Sequence, residues 1–243
     1  MKPLVSILLG SLVVIATAVA FLVPDAKGFQ SPELARILFF HLPCALLSAW
    51  FFVLAAGWGG ALLARRRPEW AAKMDASIEL GTLFAFLTLV TGVIFSRVQW
   101  GAWWQNDPRQ TSFLFVFLGY AALLAVKSAY RDPEKRTTVT AAYAVALILP
   151  ALFLTFVFPR LPEVVRWSAH PSQTIQQGQL DIFYRTALYL NFAAFAATTW
   201  AIFRLRIRVD ALETLIHDEP DSSRRGHSGH SGVVRPVAVS RPD

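Results

Sequence analysis

Cysteine, histidine and charge are all scarce in this sequence. Cys44 is the single cysteine in 243 residues, which excludes an intrachain disulfide framework and any multi-cysteine metal site. Five histidines leave few candidates for metal ligation, and charged residues make up only 16% of the chain. Hydrophobic residues make up 55%, and the mean hydropathy of +0.45 excludes an ordinary soluble domain. The composition therefore indicates an integral membrane protein.

The apolar residues are gathered in six runs, each long enough to cross a bilayer at about 20 helical residues per crossing. The runs are 3–23, 32–64, 77–98, 112–130, 137–158 and 181–203. We predict an all-α, polytopic bundle of six transmembrane helices within residues 1–205. The first run is longer than the apolar core of a cleavable signal peptide, which is about 7–15 residues, so we expect it to be retained. We expect residues 206–243 to form a mostly disordered tail, since Ser, Gly, Arg, Pro and His dominate it from 217 onward.

The distribution of Lys and Arg predicts the orientation of the bundle. Sixteen of the 23 basic residues lie in the terminal segments and in the loops after the second and fourth runs. Basic residues accumulate on the cytoplasmic side, so we expect both termini to be cytoplasmic. The Trp-rich segment at 97–111 and the loop at 159–180 are then external. Because topology accounts for the net charge of +7, we expect no nucleic-acid partner.

One short stretch, WGAWWQNDPRQT at 100–111, is unlike its apolar surroundings. In a helix, Trp100, Trp103, Trp104 and Asp107 would share one face. Asp followed by Pro favours the start of a new helix that Asp107 caps. We therefore expect an amphipathic turn or two, a break, and a second helix. An aromatic shelf with Arg109 beside it suits a large planar ligand that carries charged groups; alternatively, the tryptophans form an interfacial belt that needs no ligand.

Two histidines, His41 and His170, lie outside the tail, and the predicted topology places both at the outer edge. Two imidazoles suit the two axial positions of one haem iron, although a lone interfacial histidine is more often simply hydrogen-bonded. We expect the three tail histidines to be solvated. Aromatic contacts for a haem ring and cations for its propionates are available from Trp100, Trp103, Trp104 and Trp167, and from Arg109, Arg97 or Arg166.

Together with LVTG at 89–92 and FFHLP at 39–43, the stretch WGAWWQNDPRQTS resembles the tryptophan-rich WWD signature of the cytochrome c assembly family, and most closely its CcmC branch. The resemblance covers about residues 1–205. It implies that His41 and His170 are haem axial ligands. It also implies a haem platform made of Trp100, Gly101, Trp103, Trp104, Asp107 and Arg109. The chain departs from the family pattern at Asn106, where Trp is usual, and at Arg166-Trp167, where a Trp pair is usual.

The resemblance further implies a function and partners. It implies that one haem b per chain is bound at the outer face of the bacterial inner membrane and delivered to the haem chaperone CcmE. The implied partners in the lipid bilayer are CcmD and the ABC transporter of CcmA and CcmB. The sequence has no Walker motif, so ATP use must come from a partner, and we expect a delivery factor rather than an enzyme.

Two alternatives come from other functional classes. A haem-b electron-transfer subunit usually holds ligand histidines in pairs inside the bilayer, and the predicted spans contain no second pair. A small-solute transporter commonly shows repeated halves, and the sequence has no internal repeat. Both alternatives therefore fit the sequence less well than haem delivery.

Overall fold

The computed structural model describes residues 3–26, 29, 31–67, 69–168 and 180–218. All regular secondary structure within these residues is helical, which confirms the predicted all-α class. The α-helices in the described ranges are α1 (Pro3–Leu22), α2 (Leu38–Arg65), α3 (Glu69–Trp100), α4 (Pro108–Ala129), α5 (Pro133–Leu152), α6 (Pro162–Val165) and α7 (Ile182–Asp218). A 3₁₀ turn, Glu33–Ile37, leads into α2. A π-helical turn, Phe153–Val157, and a 3₁₀ turn, Phe158–Arg160, follow α5.

Six helices in the described ranges are long and apolar enough to cross a membrane, which confirms the predicted number of spans. The predicted ends are less accurate, because hydropathy reports the thickness of the bilayer rather than the length of a helix. The third helix begins at Glu69 instead of residue 77, and the last continues to Asp218 instead of ending near 203. Residues 206–218 of the predicted tail are therefore helical, and residues 219–243 lie outside the described residues.

The chain divides into two compact units, Met1–Ile207 and Arg208–Asp243. In the first unit, α2 packs against α3 and α5, and α4 packs against the same two helices. Phe52 of α2 stacks on Tyr120 of α4, with ring centroids 3.4 Å apart and an interplanar angle of 6°. A Cβ atom at Gly81 would lie 2.6 Å from the Phe52 ring. Glycine at this position of α3 therefore allows the close packing that small residues give membrane helices. The second unit is described as the helical segment 208–218.

The first and last helices are joined to the bundle by buried hydrogen bonds. Asn191 Nδ2 donates to the Ala16 carbonyl oxygen of α1 at 3.0 Å. The Tyr184 hydroxyl donates to the Ala35 carbonyl oxygen at 2.7 Å and stacks against Phe39, with 4.4 Å between ring centroids. In an apolar environment these bonds satisfy polar groups that have no access to water.

A cluster of charged residues links α3, α4 and α7. Glu79 accepts hydrogen bonds from Arg206 of α7, at 2.9 Å from Nε to Oε2. Lys127 of α4 lies 3.0 Å from Asp75 and 3.8 Å from Glu79. The cluster lies about 30 Å along α3 from Trp100 at ~1.5 Å per residue. Opposite charges pair within it, so these groups hold the far end of the bundle together.

The chain enters the second membrane-spanning segment through a turn at Ser31. Ser31 acts there through its backbone carbonyl, which accepts hydrogen bonds from the Leu34 and Ala35 amides. The turn that follows is a 3₁₀ turn without a side-chain cap. The reason is that the buried amide of Gln99 binds both backbone groups of Ser31 and fixes the orientation of the chain there.

Candidate functional site

A cavity of about 220 Å³ opens between α2, α3, α4 and the turns that follow α5. Its wall is mainly apolar, and the three ionisable side chains on it are His41, Arg109 and Arg160, with no acid among the described lining residues. Gln110 also lies on the wall, and its Nε2 is buried without a hydrogen-bond partner in the described part of the chain. The cavity therefore offers apolar surface, two cations and a spare donor, which suits a mainly apolar ligand with anionic oxygens.

His41 is partly buried on the cavity wall, one turn into α2. Its Nδ1 lies 2.9 Å from the Thr91 Oγ1 of α3. Next to Thr91, a Cβ atom at Gly92 would lie 3.2 Å from the imidazole Cε1. Glycine at position 92 thus makes room for the ring between two packed helices. The LVTG motif singled out from the sequence therefore forms the surface on which the imidazole rests.

The Trp-rich stretch is not the single helical face that the spacing predicted. The third helix ends at Trp100, because Gly101 adopts a left-handed φ of +81° and its N–H bonds to the Arg97 carbonyl oxygen at 3.1 Å. A left-handed glycine directly after the last turn is a common helix terminator. Residues 101–107 then run without regular structure to the start of α4. The tryptophans beyond Gly101 are therefore oriented by the loop and not by helical periodicity.

Trp100 and Trp104 line the cavity, whereas Trp103 is turned away from it. Trp100 packs edge-to-face on Phe95, with ring centroids 5.4 Å apart. Trp103 is 59% exposed, and the Arg97 guanidinium lies 5.9 Å from its ring centroid. Trp103 has the exposure of an interfacial belt residue, while the other two have the placement of ligand contacts. The interpretation as a ligand-binding shelf therefore suits Trp100 and Trp104, and the interpretation as an interfacial belt suits Trp103.

Asp107 is buried, with 2% of its surface exposed, and does not line the cavity. Its Oδ1 accepts the Arg109 backbone N–H at 2.8 Å, which confirms the predicted cap of α4. Its Oδ2 accepts the Ser168 hydroxyl at 2.8 Å. The carboxylate therefore joins the Trp-rich loop to the segment that precedes residue 170.

Hydrogen bonds hold the loop 101–107 in place. Ser96 Oγ donates to the Ala102 carbonyl oxygen at 2.8 Å, and Gln105 Nε2 donates to that of Trp100 at 3.1 Å. Gln99 is 2% exposed; its Oε1 accepts the Ser31 N–H at 3.1 Å, and its Nε2 donates to the Ser31 carbonyl oxygen at 2.9 Å. Sequence reasoning missed Gln99, although a glutamine directly before the first tryptophan was a signal.

The second cation on the wall was also missed. Arg160, rather than Arg97 or Arg166, lies on the cavity with Arg109. Its Nη1 donates to the Phe156 carbonyl oxygen at 2.7 Å. Arg166 is instead paired with Glu163 at 3.3 Å on the surface. The signal was the position of Arg160 directly after an apolar run that contains a proline.

The structure thus brings four of the predicted site residues to one cavity and separates the others. His41, Trp100, Trp104 and Arg109 line the wall. Gly101 and Trp103 are exposed, Trp167 is 82% exposed, and Asp107 is buried. His170 lies outside the described residues.

Comparison with known proteins identifies the family. The family model described as "CcmC: Heme exporter protein C" matches residues 1–219 of this chain. The chain belongs to the heme exporter protein C family. It is 29% identical to heme exporter protein C of Paracoccus denitrificans over 197 residues, which is 75% of this chain and 78% of that protein. With the Escherichia coli K12 protein of the same name it is 26% identical over 187 residues, 74% of this chain and 71% of that protein.

A third relative matches a shorter part of the chain at higher identity. Heme exporter protein C of Haemophilus influenzae is 35% identical over 104 residues, which is 43% of this chain and 42% of that protein. Membership of the heme exporter protein C family establishes a multi-pass membrane protein with a role in haem handling for cytochrome c maturation. The chemistry of the cavity fits such a cargo, because haem combines a large apolar ring, two carboxylates and an iron that binds imidazole.

Proposed function

We propose that the cavity binds one haem b per chain, with His41 and His170 as the axial ligands of the iron. The observation that carries the proposal is the position of His41. It is the one histidine among the described lining residues, on a wall that holds two tryptophans and two arginines but no acid. A partly buried imidazole in apolar surroundings is a good iron ligand because water does not compete for the metal.

The hydrogen bond between Ser168 and Asp107 supports His170 as the second ligand. It fixes Ser168 beside the start of α4, whose Arg109 lines the cavity. Residue 170 follows two positions later, and two peptide units span at most about 7 Å. The described chain is therefore held beside the start of α4 at a point two residues before His170, and His170 itself lies outside the described residues.

Arg109 and Arg160 are the residues that would bind the haem propionates. Both line the cavity, and the guanidinium group binds carboxylates in a bidentate manner. Trp100 and Trp104 would contact the ring through their faces or edges. The described wall carries two guanidinium groups and no acid, which favours a dianionic ligand.

We infer that the bound haem passes to the chaperone CcmE at an exposed edge of the site. Trp103, which adjoins Trp104 in the sequence, and Trp167 are exposed tryptophans, at 59% and 82% exposure. A delivery protein needs such an accessible edge, since the receiver must approach the haem directly. The distribution of basic residues supports a site that faces the periplasm from the inner membrane, with both termini in the cytoplasm. CcmD, CcmA and CcmB complete the proposed complex, the last two supplying ATP hydrolysis.

The test is the absorption spectrum of the purified protein with haem. Wild type should give a low-spin, six-coordinate spectrum. His41→Ala and His170→Ala should each weaken binding or convert the iron to the high-spin state, whereas the tail variant His227→Ala, the matched control, should not. A double variant of His41 and His170 that keeps stoichiometric haem with an unchanged spectrum would disprove the ligand assignment.

A further inference from the structure

Thr91 is the single residue in the described part of the chain whose side chain hydrogen-bonds to His41. The distance from its Oγ1 to the imidazole Nδ1 is 2.9 Å. The contact joins α3 to α2 at the cavity wall, between residues 50 positions apart. An imidazole carries one proton when neutral, and its partner decides which nitrogen holds it. The direction of this hydrogen bond therefore determines which nitrogen can bind a metal.

The proton of the Thr91 hydroxyl already has an acceptor. Thr91 Oγ1 lies 2.7 Å from the Leu87 carbonyl oxygen one turn earlier and 3.2 Å from that of Thr88. A carbonyl oxygen can only accept, and a hydroxyl has one proton to donate. With that proton directed at the backbone, the hydroxyl oxygen presents lone pairs to Nδ1. The His41 proton is therefore on Nδ1, which donates to Thr91.

The ring meets α3 at Cε1 as well as at Nδ1. A Cβ atom at Gly92 would lie 3.2 Å from Cε1, so glycine leaves room for the ring there. No side chain among the described residues hydrogen-bonds to Nε2, and the ring lines the cavity.

We propose that Thr91 is the positioning residue of the His41 ligand: it holds the proton on Nδ1 and thereby presents an unprotonated Nε2 to the haem iron. The proposal rests on the proposed function, since it assumes that His41 is the ligand. Hydrogen bonds of this kind orient ligand imidazoles and commonly alter metal affinity by 10- to 100-fold. Thr91 itself does not touch the iron.

The first measurement needs no haem. Protein labelled with ¹⁵N-histidine and reconstituted in lipid gives distinct ¹⁵N signals for protonated and unprotonated ring nitrogens, and a His41→Ala preparation identifies the His41 pair. In wild type the proton should be on Nδ1. Thr91→Val should produce a mixture of tautomers and Thr91→Ser should restore the wild-type signals. A wild-type signal with the proton on Nε2 overturns the proposal without any variant.

The second measurement uses haem and a matched control. Thr82→Val removes a hydroxyl from the same helix, and that hydroxyl bonds to the Ile78 carbonyl oxygen at 2.7 Å and does not line the cavity. Thr91→Val should weaken haem binding about 10-fold or more and shift the electron paramagnetic resonance g-values of the low-spin iron. Thr91→Ser and Thr82→Val should match wild type.

The outcomes separate this proposal from the proposed function. If His41→Ala leaves the haem spectrum unchanged, His41 is not a ligand and the proposed function fails, while the ¹⁵N signals still report the tautomer. If His41 is a ligand but Thr91→Val keeps the wild-type tautomer, affinity and g-values, the positioning role is wrong and the haem site stands. Equal losses in Thr91→Val and Thr82→Val would also refute a specific role for Thr91.

Discussion

Ser168 donates a hydrogen bond to the buried carboxylate of Asp107 across 61 positions of sequence, with 2.8 Å between the two oxygens. The same carboxylate caps α4 through the Arg109 amide. A single side chain therefore fixes both the helix that carries the cavity arginine and the segment that leads to the proposed second ligand. The arrangement couples the position of Ser168 to the start of α4.

Removing the Ser168 hydroxyl should weaken haem retention more than it weakens the fold. Ser168→Ala keeps the Asp107 cap of α4, so we expect a loss of folding stability of about 1 kcal/mol or less. The haem content after purification should fall, because Ser168, two residues before the proposed second ligand, loses its link to Asp107. Ser128→Ala is the control, since the Ser128 hydroxyl bonds only to the Ala125 carbonyl oxygen of its own helix. Wild-type haem retention in Ser168→Ala would contradict the coupling.

Arg160→Gln should lower haem affinity through the propionates. Loss of one charge-assisted hydrogen bond costs about 1.5–3 kcal/mol, which corresponds to a weakening of about 10-fold or more. Arg166→Gln is the matched control, because Arg166 is exposed and paired with Glu163. Titration with haem dimethyl ester provides the second control. The difference between wild type and Arg160→Gln should disappear with the ester, and its persistence would show that Arg160 does not bind the propionates.

Substitutions of Trp103 and Trp104 should have different effects on haem binding and on haem delivery. The sequence predicts that changing Trp103, Trp104 and Asp107 together damages transfer more than binding, and the structure divides these residues. Trp104→Ala should lower the haem content of the protein itself, because Trp104 lines the cavity. Trp103→Ala should keep that haem and lower the loading of co-purified CcmE, because Trp103 is 59% exposed. Measuring haem on both proteins in one preparation distinguishes the effects, and identical losses in the two variants would contradict the division.

Replacing Asn106 by tryptophan, the residue usual at this position in the family, should destabilise the protein. Asn106 has a left-handed φ of +54°, a conformation that costs most L-residues about 1–2 kcal/mol but that Asn and Gly adopt readily. Asn106→Trp should therefore lower the free energy of unfolding by about 1 kcal/mol, and Asn106→Gly should be tolerated. Reversible unfolding in detergent mixtures measures both. Equal stability of the Trp and Gly variants would mean that the loop adapts its backbone.

Reporter fusions test the orientation of the chain. We expect external signals when the fusion follows Gln30, Asn106 or Ser172, and cytoplasmic signals when it follows Arg67, Lys135 or Asp210. The reason is the excess of basic residues on the second set of loops. An external signal from the fusion at Arg67 would reverse the side on which His41 is proposed to bind haem.

Much of the bundle was predictable because apolar runs of bilayer length admit few other structures. The cap at Asp107 was predictable for a similar reason, since Asp-Pro is a local signal whose meaning depends on neighbouring residues alone. The end of α3 was not predicted, because the Trp spacing fitted a helix and the terminating role of Gly101 depends on its positive φ. Local pattern thus gave the elements but not the orientation of the aromatic side chains.

The contacts that build the site join residues far apart in sequence. Gln99 binds Ser31 over 68 positions and His41 meets Thr91 over 50. No periodicity encodes such pairs, because they depend on how α2 and α3 are placed against each other. Periodicity also does not predict that Arg160 lies on the cavity wall. Its position depends on the irregular turns that follow Pro150.

The π-helical turn Phe153–Val157 makes one side of the cavity sensitive to the number of residues in the chain. A π turn holds about one residue more than an α turn, so deleting one residue within it would restore α-helical spacing. At about 100° per residue, that deletion would rotate Pro159 and Arg160 away from the wall they now form. An insertion or deletion in this turn would therefore move a whole segment of the cavity wall. A point substitution along α2 or α3 would change a single side chain on it.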